Sequence, residues 1–211
     1  HLSLRRQRQM CIRDSTWLAP QVGRNRVLSG RVSDEEFAAL IDVARAGHIV
    51  EPTGIAAQVA APNTGTGDGM GSVIALIGWP TGRHHSLIKA AEARLAVDEG
   101  ATEVWLAIDD TLVGTTDGLN AVLADIIAVR QVVDSRARLG VTCPAAVGVD
   151  ALTQLDAVAQ RGGVDLLAVE LRDSSEPPAL NGLACETAFY GTIPTLDAAL
   201  DLSLIHISEP T

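Results

Sequence analysis

The sequence predicts an α/β fold built on a parallel sheet, and three observations carry that prediction. Short apolar runs alternate with longer stretches of helical periodicity, the pattern of strands joined by crossover helices. Runs such as Val73-Ile74-Ala75-Leu76-Ile77 are apolar on both faces, as a strand must be when helices cover one side and packing fills the other. With 47% hydrophobic residues in a chain of 211, there is enough apolar side chain for one sizeable core. Taken in order, the candidate strands are residues 25–28, 48–50, 73–77, 103–108, 139–143 and 165–169. Ser33-Asp34-Glu35-Glu36 is a capping box, so a helix is expected over 33–45: the serine oxygen and the glutamate three residues on satisfy free amide donors reciprocally. Helical periodicity predicts further helices at 53–60, 84–99, 118–136 and 150–161, and Pro194 opens a last one over 194–200. Six βα units without an internal repeat fit either a doubly wound sheet or an incomplete eight-stranded barrel, and periodicity does not choose between them.

The two ends of the chain carry one short DNA element read in opposite directions. Met10-Cys11-Ile12-Arg13-Asp14-Ser15 can be encoded by ATG TGT ATA AGA GAC AG plus one base. The reverse complement, CTG TCT CTT ATA CAC AT, translates as Leu202-Ser203-Leu204-Ile205-His206-Ile207. The string resembles a transposon end used to fragment DNA for sequencing. Residues 1–15 and 202–211 are therefore expected to be disordered adapter translations, as of a metagenomic fragment, and residues 16–201 to be the domain.

Setting aside Arg5, Arg6, Arg8 and Arg13 from the 16 basic side chains, and Asp14 and Glu209 from the 26 acidic ones, moves the formal net charge from −10 to about −12. Such a surface repels phosphate backbones, and nucleic acid is not an expected partner. No apolar run approaches the roughly 20 residues that span a bilayer, so no membrane partner is expected and the cytoplasm is the default location. Cys143 and Cys185 are too few for a disulfide scaffold. Lys89 is the only lysine in the sequence.

One block of sequence chooses the fold. Gly78-Trp79-Pro80-Thr81-Gly82, then Lys89-Ala90-Ala91-Glu92 and Gly100-Ala101-Thr102-Glu103-Val104, resemble the G-F-P-x-G, K-x-x-E and G-A-x-E-[IV]-D segment of the deoxyribose-phosphate aldolases. The similarity runs without a gap from Leu76 to Ile108, and continues more weakly at Ile49-Val50-Glu51-Pro52 (family V-x-V-N-P) and Gly163-Val164-Asp165 (family G-A-D). The resemblance implies a (β/α)8 TIM barrel of the class I aldolase type. That barrel would be incomplete here, with about six of its eight βα units and the last two strands missing. It also implies an aldehyde-lyase of deoxyribonucleotide catabolism, which cleaves 2-deoxyribose 5-phosphate to acetaldehyde and glyceraldehyde 3-phosphate through a lysine Schiff base and needs no cofactor or metal. A small phosphorylated sugar and a second copy of the chain, as a homodimer, are the expected partners.

The same resemblance shows which chemistry is missing. Schiff-base cleavage needs a lysine amine at the end of a strand, held neutral by its surroundings so that it attacks a carbonyl. The family's G-A-D-F-V-K-T-S-T reads Gly163-Val164-Asp165-Leu166-Leu167-Ala168-Val169-Glu170-Leu171 here, so Ala168 stands at the nucleophile. Trp105, a donor-only side chain, replaces the proton-relay aspartate. The K-V-[IL]-x-E strand becomes Gly140-Val141-Thr142-Cys143-Pro144, which puts Gly140 at its lysine, and D-H-T falls on Arg24-Asn25-Arg26. A second family lysine, in a G-[FVL]-K-x-x-G-G-[IV]-R stretch, is expected beyond the chain's end.

Other residues have a bland and a functional reading. Lys89 is expected on an exposed helix face, paired with Glu92. Asp109 ends a strand where barrel sites gather carboxylates, and lines a ligand or caps a loop together with Asp110. Glu170, Glu51, Ser174 and Ser175 are further candidates to line a ligand; the two serines stand where the family has a threonine/serine pair near its phosphate. His84 and His85 are expected in an exposed first helical turn, not at a metal. Asn63 to Gly71 is glycine-rich but follows a helix and lacks lysine, so it reads as a connector. Trp105 is expected to fill the barrel interior. Two functions follow: an aldolase-type enzyme using a relocated amine or altered chemistry, or a pseudoenzyme, a barrel that has lost the Schiff base and binds a sugar phosphate or serves as a regulatory subunit.

Overall fold

The computed structural model describes residues 23–25, 48–52, 73–171, 178–180 and 182–191. Seven parallel strands form one sheet in strict sequence order: β1 (Gly23–Asn25), β2 (His48–Pro52), β3 (Val73–Ile77), β4 (Glu103–Ala107), β5 (Arg138–Pro144), β6 (Leu166–Leu171) and β7 (Glu186–Gly191). Helices α1 (Ser86–Asp98), α2 (Thr116–Val133) and α3 (Val149–Arg161) make the crossovers from β3 through β6. A doubly wound sheet reverses its strand order at a switch point, and this sheet does not. The fold is therefore the incomplete eight-stranded βα barrel, with β1 and β7 at the edges among the described residues.

Two expectations need correction. β1 starts at Gly23, two residues before the expected strand, and the sheet has a seventh strand where the chain was expected to stop after six. Glu186-Thr187-Ala188-Phe189-Tyr190-Gly191 mixes charge with small residues and is not a continuous apolar run, which hid it. The expected helices at 33–45, 53–60 and 194–200, the glycine-rich stretch, Ser174, Ser175 and both proposed adapter tails lie outside the described residues.

Strands β3 to β7 alternate between two apolar layers, the period-2 geometry of a pleated chain. Ala75 and Ile77, Val104 and Leu106, Leu139 and Val141, and Leu167 and Val169 point outward into the layer shared with the helices. Ile74, Leu76, Trp105, Leu166, Ala168 and Tyr190 form a smaller cluster on the inner side. In α2 the buried Val122, Ile126, Val129 and Val133 recur at helical spacing, and Thr115 caps the helix by accepting from the Gly118 amide at 3.2 Å. In α1, Ala90, Ala93 and Ala96 face inward, and such short side chains let the helix lie close to its neighbours. On α3, the Asp156 carboxylate accepts from the amides of Ala184 (2.8 Å) and Cys185 (2.9 Å), which anchors the chain as it enters β7. Among the described residues no helix is long and apolar enough to cross a membrane.

Lys89 is not exposed. Its side chain is wholly buried, and Nζ donates to Asp125 Oδ2 on α2 at 2.6 Å, while Ser86 Oγ donates to the other oxygen of the same carboxylate. Glu92, the expected partner, accepts instead from the Gly78 amide at 2.7 Å. The Lys89 stem lies beneath Gly78, whose φ of +69° suits glycine and where an added Cβ would stand 3.2 Å from Lys89 Cε. The K-x-x-E spacing thus works as a clamp: one turn of α1 grips the end of β3 from below while the ammonium ties α1 to α2. Lys89 points away from the barrel interior, as expected.

Candidate functional site

The register places the positions singled out by the sequence in adjoining rows. Leu76, Trp105, Gly140, Leu166 and Glu186 align across β3 to β7. Two residues toward the C-terminal ends lie Ala107, Thr142, Ala168 and Ala188, and beyond them Pro144, Glu170 and Tyr190. Paired residues on parallel strands share a face, so these rows are successive layers of the barrel interior.

Charge closes the end where the strands begin. Glu103 is buried, and its Oε1 accepts from Trp105 Nε1 at 2.5 Å while Oε2 lies 3.6 Å from Arg138 Nη1. Arg138 also donates through Nη2 to Glu186 Oε2 at 2.7 Å, linking β4, β5 and β7. Above this layer sits Trp105, 4% exposed, with the Tyr190 ring tilted against it at a centroid distance of 5.2 Å. Gly140 makes room for that ring, since a Cβ there would lie 2.9 Å from Trp105 Nε1 and closer still to Cδ1. Trp105 therefore fills the interior, as expected, and the loss of a side chain at 140 is what lets it do so.

Ala168, where the resemblance puts the nucleophile, is 0% exposed within the inner cluster. Its partner on β7 is Ala188. Laid without a gap on the G-[FVL]-K-x-x-G-G-[IV]-R pattern, Glu186 to Pro194 match at Gly191 and Ile193 and put Ala188 at the second lysine. Thr142 Oγ1 and Tyr190 Oη share a hydrogen bond of 2.5 Å just above. Each hydroxyl thus has a partner in a place where a free polar group would be costly.

The rim residues are mostly committed to structure. Asp109 Oδ1 accepts from the Thr111 amide (3.0 Å) and hydroxyl (2.6 Å), and Oδ2 accepts from Arg83 Nε at 3.0 Å. Burial raises the Asp109 carboxyl, but the Thr111 and Arg83 hydrogen bonds outweigh it and hold the group below the usual carboxylate value. The carboxylate caps the short turn Asp110–Leu112, so the bland reading of Asp109 is the one its contacts support. Glu170 is 4% exposed and, two residues after Ala168, lies on the inner side at the level of Tyr190. Glu51 sits in β2 in register with Ala75. His85 caps α1 by accepting from the Leu87 amide, and His84 Nδ1 lies 3.3 Å from the Gly78 carbonyl. No three His, Cys, Asp or Glu side chains among the described residues gather as for a metal.

Trp79, in the turn after β3, was not singled out by the sequence. Its ring packs against the inner cluster while its Nε1, a buried donor, has no hydrogen-bond partner. The turn that carries it is closed by the Gly82 amide donating to the Gly78 carbonyl at 2.9 Å. A tryptophan where the pattern has phenylalanine was the available signal, since the exchange adds a single donor.

No protein-family model matches the chain. It is 39% identical over 158 residues to a deoxyribose-phosphate aldolase of Nocardia farcinica, an alignment covering 73% of this chain and 63% of that protein. It is 37% identical over 113 residues to the deoxyribose-phosphate aldolase of Corynebacterium glutamicum, covering 52% of this chain and 48% of that one. The chain thus spans about half to two thirds of the curated relatives it matches. Among solved structures, it superposes on the tetrameric deoxyribose phosphate aldolase of Aeropyrum pernix with a TM-score of 0.70 at 21% identity, covering 88% of this chain and 82% of that one. It superposes on QR15, an aldolase, with a TM-score of 0.69 at 14% identity, covering 87% and 84%. At those identities the superpositions bear on the fold alone, which is the incomplete TIM barrel of the class I aldolase type.

Proposed function

Starting from a chain that is a divergent relative of the deoxyribose-phosphate aldolases in sequence and fold, we propose that it is a non-catalytic barrel: it has lost imine chemistry and retains at most the binding of a small phosphorylated sugar at its mouth. One observation supports this above the others. The two adjoining inner rows hold Trp105, Gly140, Ala168 and Ala188, and the family pattern puts an acid, two Schiff-base-competent or assisting lysines and a further lysine at those places. An imine requires a primary amine beside the substrate carbonyl. The only lysine in the sequence, Lys89, is buried behind the sheet with its ammonium on Asp125. Trp105 supplies no carboxylate to relay a proton and occupies the volume in which a substrate would react. A sugar phosphate would accordingly sit at the level of Glu170, Tyr190 and Trp79, above the filled layers, and the protein would act by binding it, as a regulatory subunit does.

The test is trapping. Sodium borohydride with 2-deoxyribose 5-phosphate should leave no reduced adduct on any residue of 16–201, read by intact mass and peptide mapping. A stoichiometric adduct on Lys89 would overturn the reading. Ala168→Lys alone should not restore cleavage, because Trp105 still fills the space and, with glycine at 140, the new amine has no cation beside it to lower its pKa.

A further inference from the structure

We propose that the Trp79 indole N–H is a ligand-recognition donor at the barrel mouth, which takes a carbonyl or hydroxyl oxygen of a small sugar. The inference deepens the binding reading given above and rests on it. Its ground is a buried side-chain donor left unused: among the described residues two such atoms lack a partner, and of these Trp79 Nε1, not Arg130 Nε, belongs to a side chain packed on the inner cluster. Trp79 Nε1 has no partner, whereas Thr142, Tyr190 and Trp105 are each hydrogen-bonded within the interior. Buried polar groups in folded proteins are nearly always paired, and one that is not calls for a specific explanation.

The surroundings say what kind of group completes it. An indole N–H donates and cannot accept, so the ligand atom must be an oxygen with a free lone pair. The Trp79 ring, packed on the inner cluster and only partly buried, supplies an apolar face of the sort that covers the C–H side of a sugar. Trp79 stands in the turn closed by the Gly82 amide donating to the Gly78 carbonyl.

The experiment combines calorimetric titration of the whole chain with a 15N-indole NMR spectrum, using 2-deoxyribose 5-phosphate and unphosphorylated 2-deoxyribose as probes, and Trp79→Phe both to assign the signal and to remove the donor. Forming a hydrogen bond moves an indole proton downfield. The expected result is a downfield shift of the Trp79 indole signal that saturates with the calorimetric binding curve, and binding about tenfold weaker in Trp79→Phe, which keeps the apolar ring. Binding with an unmoved Trp79 signal and an unchanged Trp79→Phe affinity would overturn this inference and leave the binding reading standing. No heat with either probe would remove the binding reading and this inference together.

Discussion

Replacing Gly140 with alanine should destabilise the protein, although the same change in an unobstructed strand would stabilise it. Alanine in place of glycine within a strand is ordinarily worth about 0.5–1 kcal/mol, because the unfolded chain has less freedom to lose. At 140 the new Cβ would stand 2.9 Å from Trp105 Nε1 and nearer to Cδ1. The ring has nowhere to go: it is 4% exposed, its Nε1 is bound to Glu103 at 2.5 Å, and Tyr190 leans on it at 5.2 Å. Overpacking of this kind costs about 1–3 kcal/mol, so the net sign reverses. Urea denaturation followed by circular dichroism measures the change, and a second background isolates its cause. In Trp105→Val, which lacks every ring atom beyond the γ position, Gly140→Ala should become neutral or stabilising, giving a coupling equal to the overpacking cost, about 1–3 kcal/mol. A neutral Gly140→Ala in the parent, or an equal loss in both backgrounds, would refute the claim that the ring and the missing side chain depend on each other.

Three further outcomes are expected. Lys89→Met should cost about 3–5 kcal/mol in denaturant unfolding, because Asp125 is left without its cation, and a companion Asp125→Leu should recover part of that loss. Asp109, whose folded pKa lies below its ordinary value of 3.8, contributes stability that is fully present above that value and lost as pH falls below it through the lowered one. The stability gap between the parent and Asp109→Asn should therefore close on acidification across that window, and a gap constant with pH would contradict the assignment. Burial, then the hydrogen bond and charge of Asp156, push the Cys185 thiol up to about 12. Iodoacetamide at pH 8 should leave Cys185 unmodified in the folded chain and alkylate it in urea, with peptide mapping as the readout.

The alternation of strands and helices was legible because the middle strands carry continuous apolar runs and the helices carry clear periodicity, while the choice of a barrel came from the resemblance over residues 76–108; residues 73–77 were delimited from sequence as they stand in β3. β7 was not legible, because its inward positions are Glu186, Ala188 and Tyr190, and no property shared by those three marks a buried strand. Lys89 shows the same limit on a helix. A lysine three residues before a glutamate reads as a solvated pair, and nothing local reveals that Asp125, 36 residues away, holds the ammonium. The absences at 105, 140 and 168 were visible by comparison with a pattern. What replaced them took a register to see, since Trp105 and Gly140 are 35 positions apart in sequence and face each other in space. Asp109 was legible as a strand-end carboxylate, but its commitment to Thr111 and Arg83 depends on loop geometry.

The contact between Trp105 and Gly140 also constrains history. If the ancestor had lysine at 140, as the resemblance implies, no ring could have entered at 105 while any side chain remained on the neighbouring strand, since even a Cβ collides with it. The lysine had to be lost first, or in the same step, and only then could the interior be plugged. Once the plug was in place, regaining that lysine alone would disrupt the core that now depends on its absence. If that order of events holds, the route back to a lysine at 140 is closed to single substitutions, and selection for one would have to cross a valley in folding stability before it met any gain.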